Sequence, residues 1–444
     1  SDWSSDVCSS DLTTLPKKGS IKKEVKNDLF GYKELTLSNG IKVILKQTDL
    51  KKDQVLLNAE GWGGSSLYGL EDRANIAMFD DVVEASGLAG FSHTELVKAL
   101  AGKIAGASLS MSTQRTTVSG SSTPNDVETM MQLVYLYMTG SIAKDQQSFD
   151  QLMKSAEVSL KNRLLNPEAV FSDSLNATVS CHNPRFRSLE VSDLAQVDYD
   201  RILQMAKERT SNAAAFTFTI IGNYDEQTIR PLIEQYLASL PGNAKKVVKG
   251  KDVEDSFKGD VKNNFRRKME TPKAIAVMLW KNDNMQYSLE NTIRASMAGQ
   301  ILMMIYTEKI REEASAAYSV SAQGGLQRDD YRTTGTVLVY CPMKPEKGDV
   351  AVKIMDEEVR ALAKTVDAEK LAKVKEYMLK NIDDQAKTNN YWIRQINRLR
   401  DWGVDTHTNY KKTVEAQTPA DIATFMQQLL KSGDKAEVIM MPQE

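Results

Sequence analysis

The chain repeats one order of predicted elements at an offset of about 220 residues. Residues 118–124 (VSGSSTP) predict a strand that runs into a helix opened by proline, and residues 337–342 (VLVYCP) predict the same arrangement. The tripeptide at 195–197 (AQV) precedes a predicted helix and a terminal strand, as does the tripeptide at 416–418 (AQT). Solenoid repeats have periods of roughly 20–50 residues. A repeat of this length therefore predicts two homologous domains.

Each copy combines hairpin-forming strands with runs of helices. Residues 107–122 alternate and predict a hairpin, whereas Leu289, Ile293 and Met297 recur at the spacing of one helix face. Strands joined by hairpins, with helices gathered in runs, are typical of an α+β architecture. We predict an α+β fold of two homologous mixed-sheet domains, each with helices packed on one face.

Composition places the predicted boundaries. Residues 243–268 are dominated by Lys, Asp, Asn and Gly, which predicts a linker between a first domain at 31–242 and a second at 269–444. Residues 13–30 are rich in Lys and also predict a linker. Residues 1–12 (SDWSSDVCSSDL) lack the basic and apolar regions of a signal peptide, so we interpret them as a non-native leader.

Charge and cysteine content exclude several classes of function. The net charge is −2 and the pI about 6.1, so we expect no nucleic-acid partner. No apolar run approaches about 18 residues, so we expect no transmembrane segment. The chain has 3 cysteines and no CxxC pair, which predicts neither a disulfide framework nor a zinc ribbon.

The segment 309–320 (KIREEASAAYSV) carries the candidate site. Arg311 is predicted to end a long helix, and Tyr318, seven residues later, to begin a strand. A guanidinium and a phenol are both hydrogen-bond donors that can hold a peptide carbonyl. Without further context, the simpler interpretation is a cation placed favourably at a helix C-terminus and an amphipathic residue at a strand end.

Metal ligands are the feature that the sequence lacks. The 3 histidines, His93, His182 and His407, are far apart, and no pair has the i, i+4 spacing that binds zinc on one helix face. We therefore predict no metal site and no catalytic residue in this chain.

The duplicated α+β pattern with an Arg–Tyr corner resembles the insulinase/pitrilysin family of zinc metallopeptidases and its LuxS/insulinase-like duplication. Residues 37–43, 218–222 and 311–320 carry the resemblance, which covers about residues 30–442. Members are built from pairs of homologous domains, and full-length forms carry two halves that close around a peptide. Their catalytic half has His-x-x-Glu-His on its first helix, but here that helix reads 70–79 (LEDRANIAMF), without histidine.

The resemblance implies the C-terminal, non-catalytic, substrate-binding half of such a peptidase. Arg311 and Tyr318 would then hydrogen-bond the peptide substrate near the scissile bond, while a fused or separate N-terminal half would bind the zinc. We expect the chain to be inactive alone and active only with that half, in the periplasm or cell envelope. One alternative is an inactive partner or scaffold subunit that binds protein only. Another is a self-standing peptide-binding module that uses an exposed sheet edge.

Overall fold

The computed structural model describes residues 15–444, so the predicted leader at 1–12 lies outside the described part of the chain. The chain divides into two compact units. The first comprises the residues up to Lys161 with Leu189–Val253 and Lys387–Ile393, and the second comprises Asn162–Ser188, Glu254–Ala386 and Arg394–Glu444. Each unit is built around one main sheet.

The first unit has a seven-stranded sheet in the order β1-β2-β3-β9-β4-β7-β6 and a two-stranded sheet of β5 and β8. Strands β3 and β9 are parallel and the other neighbours antiparallel, so the large sheet is mixed. The strands are β1 (Ile21–Asn27), β2 (Tyr32–Leu37), β3 (Lys42–Gln47), β4 (Val55–Trp62), β5 (Gly87–Leu88), β6 (Ala105–Met111), β7 (Arg115–Ser122), β8 (Ile142–Ala143) and β9 (Phe216–Gly222).

The second unit has a five-stranded sheet in the order β10-β14-β11-β13-β12. Here β10 and β14 are parallel and the other neighbours antiparallel. The strands are β10 (Asp260–Arg267), β11 (Ala274–Asn282), β12 (Ser321–Arg328), β13 (Thr333–Met343) and β14 (Asp434–Pro442).

The two sheets share one topology. The order β3-β9-β4-β7-β6 in the first unit matches β10-β14-β11-β13-β12 in the second, including the position of the parallel pair. The predicted duplication and the α+β class with mixed sheets are therefore confirmed.

Helices follow the strands in corresponding places in both units. They are α1 (Arg73–Ala85), α2 (His93–Ala99), α3 (Val127–Met138), α4 (Gln146–Arg163), α5 (Pro167–Val179), α6 (Tyr199–Thr210), α7 (Glu226–Tyr236), α8 (Leu289–Tyr306), α9 (Gly348–Leu362), α10 (Ala368–Gln385), α11 (Asn389–Trp402), α12 (Tyr410–Ala416) and α13 (Pro419–Leu430). Helix α8 follows β11 and packs against the hairpin of β12 and β13.

Each unit buries its own apolar core between the sheet and these helices. Phe79 of α1 and Phe218 of β9 are fully buried in the first core, and Tyr306 and Phe425 are buried in the second. In the second unit, α5 also lies on the opposite face of the sheet, where Phe171 packs with Ile275, Val277, Val438 and Met440. This sheet therefore carries helices on both faces.

Two segments with linker-like composition contain strands. Strand β1 lies within residues 13–30 and pairs with β2, and β10 lies within residues 243–268 and pairs with β14. Both are edge strands whose side chains are largely exposed. Charged side chains are tolerated there because the partner strand's backbone supplies the stabilising hydrogen bonds. Composition alone therefore misassigned these residues.

Candidate functional site

Arg311 lies in a π-helical segment, rather than at the end of an α-helix as predicted. Helix α8 ends at Tyr306, and residues Thr307–Glu313 continue as a π-helix. The backbone N–H of Ala314 donates to the carbonyl oxygen of Lys309 at 3.1 Å, five residues back. Ile310 is fully buried in the core, whereas Arg311 is exposed. Isolated π-helical turns are rare and often occur at functional sites.

The turn that follows the π-helix is fixed by three hydrogen bonds. Ala316 N–H donates to the Ile310 carbonyl at 2.8 Å, and the Ala316 carbonyl accepts from Lys344 N–H at 2.8 Å. The Lys347 ammonium donates to the Ala314 carbonyl at 2.9 Å. These bonds satisfy carbonyl groups at the end of the helical segment. The turn is therefore held against the residues that follow β13.

Tyr318 lies before the strand that it was predicted to begin, because β12 starts at Ser321. Ala317 bridges Met343, and Ser321 pairs with Tyr340. Three residues, 318–320, therefore oppose two, 341–342, so the chain carries one extra residue and bulges there. Pro342 has no N–H to donate to a ladder, which is consistent with the interruption of pairing at this point.

Both predicted side chains are accessible. Tyr318 is 76% exposed, and its ring lies 5.5 Å from the ammonium of Lys344. Within residues 15–444, neither the Arg311 guanidinium nor the Tyr318 hydroxyl has a hydrogen-bond or ion-pair partner. Since a buried or paired donor would not be available to a ligand, this corner has two donors that a peptide carbonyl could use.

The neighbouring cation is paired. The Lys309 ammonium contacts a carboxylate oxygen of Glu358 at 2.5 Å, and this hydrogen bond raises the pKa of Lys309. Arg311 is therefore distinguished from Lys309 by its environment. Sequence analysis did not identify Lys344. The available signal was Pro342, two residues earlier, because proline within a strand pattern indicates an edge or an interruption of pairing.

In the first unit, the carboxylate of Asp72 at the start of α1 has a structural role. Asp72 precedes α1, and its side chain is 6% exposed. Arg201 binds both of its oxygens, with Nε donating to Oδ1 at 3.1 Å and Nη2 donating to Oδ2 at 2.9 Å. Asn75 Nδ2 also donates to Oδ1 at 3.1 Å. The Arg201 hydrogen bonds lower the pKa of Asp72 below its usual value, so Asp72 and Arg201 form a partly buried ion pair.

No group of three or more His, Cys, Asp or Glu side chains within residues 15–444 could hold a metal ion. Cys181 is an exposed free thiol. Cys341 is buried, and burial raises the pKa of its thiol to about 12. In the same part of the chain, every helix is too short or too polar to cross a bilayer.

Comparison with known proteins agrees with the fold. Residues 196–378 match the family model described as peptidase M16 inactive domain. A protein named zinc protease PQQL-like from Arabidopsis thaliana is 24% identical over 97% of this chain and 45% of its own length. The chain thus spans about half the length of this curated relative.

Solved structures show the same architecture. The periplasmic protease PqqL from Escherichia coli superposes with a TM-score of 0.82 at 21% identity, over 97% of this chain and 47% of that chain. The peptidase M16 inactive domain from Pseudomonas fluorescens superposes with a TM-score of 0.73 at 14% identity, over 93% of this chain and 98% of that chain. The duplicated mixed sheets thus have the fold of these solved structures, and residues 196–378 are similar to the peptidase M16 inactive domain.

Proposed function

We propose that this chain is the C-terminal half of a zinc metallopeptidase that closes the substrate chamber and hydrogen-bonds the peptide near the scissile bond. Arg311 and Tyr318 would bind the peptide. The observation that carries the proposal is that both lie exposed on one short connection, between α8 and β12, with their donors unpaired within the described residues.

The chemistry of the two donors suits a peptide carbonyl. The guanidinium keeps its positive charge at all relevant pH values and presents several N–H groups in a planar fork. The Tyr318 hydroxyl adds one O–H donor. Negative charge develops on the carbonyl oxygen when a peptide bond is attacked, and a donor placed there contributes about 3–4 kcal/mol to lowering the barrier. Both groups would act by holding and polarising the carbonyl.

A second polypeptide segment is required for hydrolysis. The described residues offer no set of metal ligands, so they do not fit a zinc ion. When bound in a partner half, zinc supplies an activated water. The chain covers only 45–47% of the length of two relatives that are named as proteases. We therefore propose a zinc-bearing N-terminal half, fused or separate, as its partner, and a periplasmic location.

Reconstitution tests the proposal directly. The full chain is mixed with a zinc-bearing M16 half, and cleavage of an unstructured fluorogenic peptide is compared with cleavage by each component alone. We expect activity only in the mixture. Arg311→Ala and Tyr318→Phe should each reduce kcat/KM of the mixture by about 100- to 1,000-fold. Arg311→Lys should recover only part of this loss, because an ammonium lacks the planar fork.

Matched variants control for charge and for hydroxyl removal elsewhere. Lys353→Ala removes an exposed cation from α9, and Tyr377→Phe removes an exposed hydroxyl from α10. Both should leave the activity of the mixture within about twofold. If Arg311→Ala and Tyr318→Phe behave like these controls, the assigned role is wrong. An inactive scaffold subunit that binds protein only would then be the better description.

A further inference from the structure

Strand β12 leaves one edge of the second unit's sheet open. It is the last strand in the order of that sheet, and all eight of its residues pair with β13 on one side. In an antiparallel pair, alternate residues direct their N–H and C=O groups away from the partner. Within the second unit, about four N–H and four C=O groups along β12 are therefore available to another strand.

Two of the other three outer strands of the large sheets carry the charged residues that normally prevent strand addition. Strand β1 (IKKEVKN) and strand β10 (DVKNNFRR) are both rich in charged residues. Strand β12 (SAQGGLQR) is uncharged until its last residue and pairs with β13 without a bulge. Charged side chains and bulges protect sheet edges from pairing with other chains. Among these outer strands, only β6, the equivalent of β12 in the first unit, is similarly uncharged.

Glycine packing holds the backbone of β12 in place. A Cβ atom at Gly324 would lie 1.8 Å from the carbonyl oxygen of Ala295, and one at Gly299 would lie 2.3 Å from the backbone nitrogen of Gly324. Helix α8 therefore contacts the strand backbone to backbone. A Cβ at Gly325 would meet no atom within 4 Å. Contact with α8 therefore holds the backbone of β12 in place, which lowers the entropic cost of adding a strand.

The two ends of β12 carry different groups. Three residues before it lies Tyr318. At its other end the Arg328 guanidinium stacks 4.4 Å above the Trp402 ring and lines a cavity of about 570 Å³. Arg328 has no carboxylate partner within residues 15–444. A guanidinium that is stacked on an aromatic ring and not ion-paired is well suited to bind a carboxylate in bidentate fashion.

We propose that β12 accepts an extended peptide as an additional strand, and that Arg328 with Trp402 forms a distal subsite for an acidic side chain of that peptide. The proposal rests on the proposed function, because the residue held at Tyr318 fixes the other end of the peptide. Eight strand residues span about 27 Å. The acidic residue should therefore lie about eight to ten residues from the one held at Tyr318, a distance that requires an unfolded substrate.

N-methylation of the peptide tests strand addition without altering the protein. The probe is a fluorescein-labelled peptide of about twelve Thr, Ser and Val residues that contains a single Glu near one of its ends. Its affinity for the full chain is measured by fluorescence anisotropy. Methylating two alternate amides that face β12 should weaken binding about tenfold, because each loses a backbone hydrogen bond. Methylating the intervening amides should change affinity by less than about twofold.

A double-mutant cycle tests the distal subsite. Replacing the peptide Glu by Gln should weaken binding to the natural chain about fivefold. Arg328→Ala should weaken binding of the Glu peptide similarly and abolish the difference between the Glu and Gln peptides. Lys262→Ala, which removes an exposed cation from the opposite edge strand β10, is the control and should preserve that difference.

Each negative outcome has a distinct meaning. If N-methylation in both registers has the same effect, β12 does not add a strand and the proposal is wrong. The same holds if sedimentation shows β12 occupied in a dimer that peptide cannot displace. Loss of cleavage in Arg311→Ala without any register dependence would support the proposed function and reject strand addition. If binding depends on the methylated register but is unchanged in Arg311→Ala and Tyr318→Phe, strand addition is supported and the proposed function is rejected.

Discussion

The ammonium of Lys344 lies 5.5 Å from the centre of the Tyr318 ring. Lys344 follows β13, and its backbone N–H donates to the carbonyl of Ala316 at 2.8 Å, so one residue both fixes the turn and contacts the tyrosine. The contact is the single ring interaction that the described residues make with Tyr318. It biases the orientation of a side chain that is otherwise free in solvent.

Lys344→Met should weaken peptide binding modestly. The variant keeps the backbone hydrogen bond and a similar side-chain length but removes the cation beside the ring. A cation–π contact at an exposed site is worth about 0.5–1 kcal/mol, so we expect KM of the reconstituted peptidase to rise about two- to fivefold with kcat preserved. Steady-state kinetics at several peptide concentrations measure this. Lys353→Met serves as the control. If KM rises equally in Lys353→Met, the role assigned to Lys344 is wrong.

Deleting Ser319 should reduce activity as strongly as Tyr318→Phe. The deletion removes the extra residue of the bulge, so that pairing could continue from Ser321 to Ala317 and Tyr318 would be drawn into the ladder opposite Pro342. Activity of the reconstituted peptidase is the measurement, with circular dichroism to confirm folding. Ser319→Ala keeps the register and should stay near full activity. A folded deletion variant with undiminished activity would contradict the role of the bulge.

Gly324→Ala and Gly325→Ala should differ sharply although the residues are adjacent. At Gly324 the new methyl group would collide with the backbone of α8, with an expected loss of about 3 kcal/mol in the free energy of unfolding. At Gly325 it would meet open space, so we expect no loss and a small gain from reduced freedom of the unfolded chain. Urea unfolding followed by circular dichroism compares the two. Equal stabilities would show that α8 does not approach β12 as described.

Asp72→Asn should destabilise the first unit most at neutral pH. Arg201 lowers the pKa of Asp72, so the carboxylate stabilises the folded chain above the unfolded-state pKa of about 3.9. This stabilisation is lost as the pH falls through the lower folded-state pKa. We expect the variant to lose about 2–3 kcal/mol at pH 7, and the gap from the natural chain to narrow below about pH 4.

Urea unfolding at pH 7 and pH 3 measures that gap. Asp198→Asn is a weaker perturbation for comparison, since that carboxylate caps α6 by accepting from the Arg201 backbone N–H at 3.2 Å. A difference between Asp72→Asn and the natural chain that does not change with pH would contradict the assigned ion pair.

Local patterns predicted much of the fold because they report local geometry. The pair Asn39-Gly40 is typical of a turn, and Gly40 has φ of +86°, a conformation that glycine adopts without strain. Pro124 predicted a helix start, and a short 3₁₀ turn there leads into α3. The duplication was visible because equivalent strands and helices occur in the same order in both copies.

Features that depend on distant partners were not predictable. Strand β10 is stabilised by pairing with β14, which is remote from it in sequence. The bulge at residues 318–320 depends on pairing with residues 341–342 of the neighbouring strand. The stack of Arg328 on Trp402 joins residues of a strand and a later helix. The sequence was enough to name Arg311 and Tyr318 as candidate residues, but it did not predict which residues surround them.

The π-helical segment Thr307–Glu313 makes the direction of Arg311 sensitive to chain length. One residue corresponds to about 100° of rotation about an α-helix axis. Evolutionary loss of a single residue between Tyr306 and Ile310, with return to regular α-helical hydrogen bonding, would turn the guanidinium by more than a quarter of a circle if Tyr306 kept its place. A change of one residue in this segment would therefore redirect the Arg311 side chain without any change in helix α8 before it.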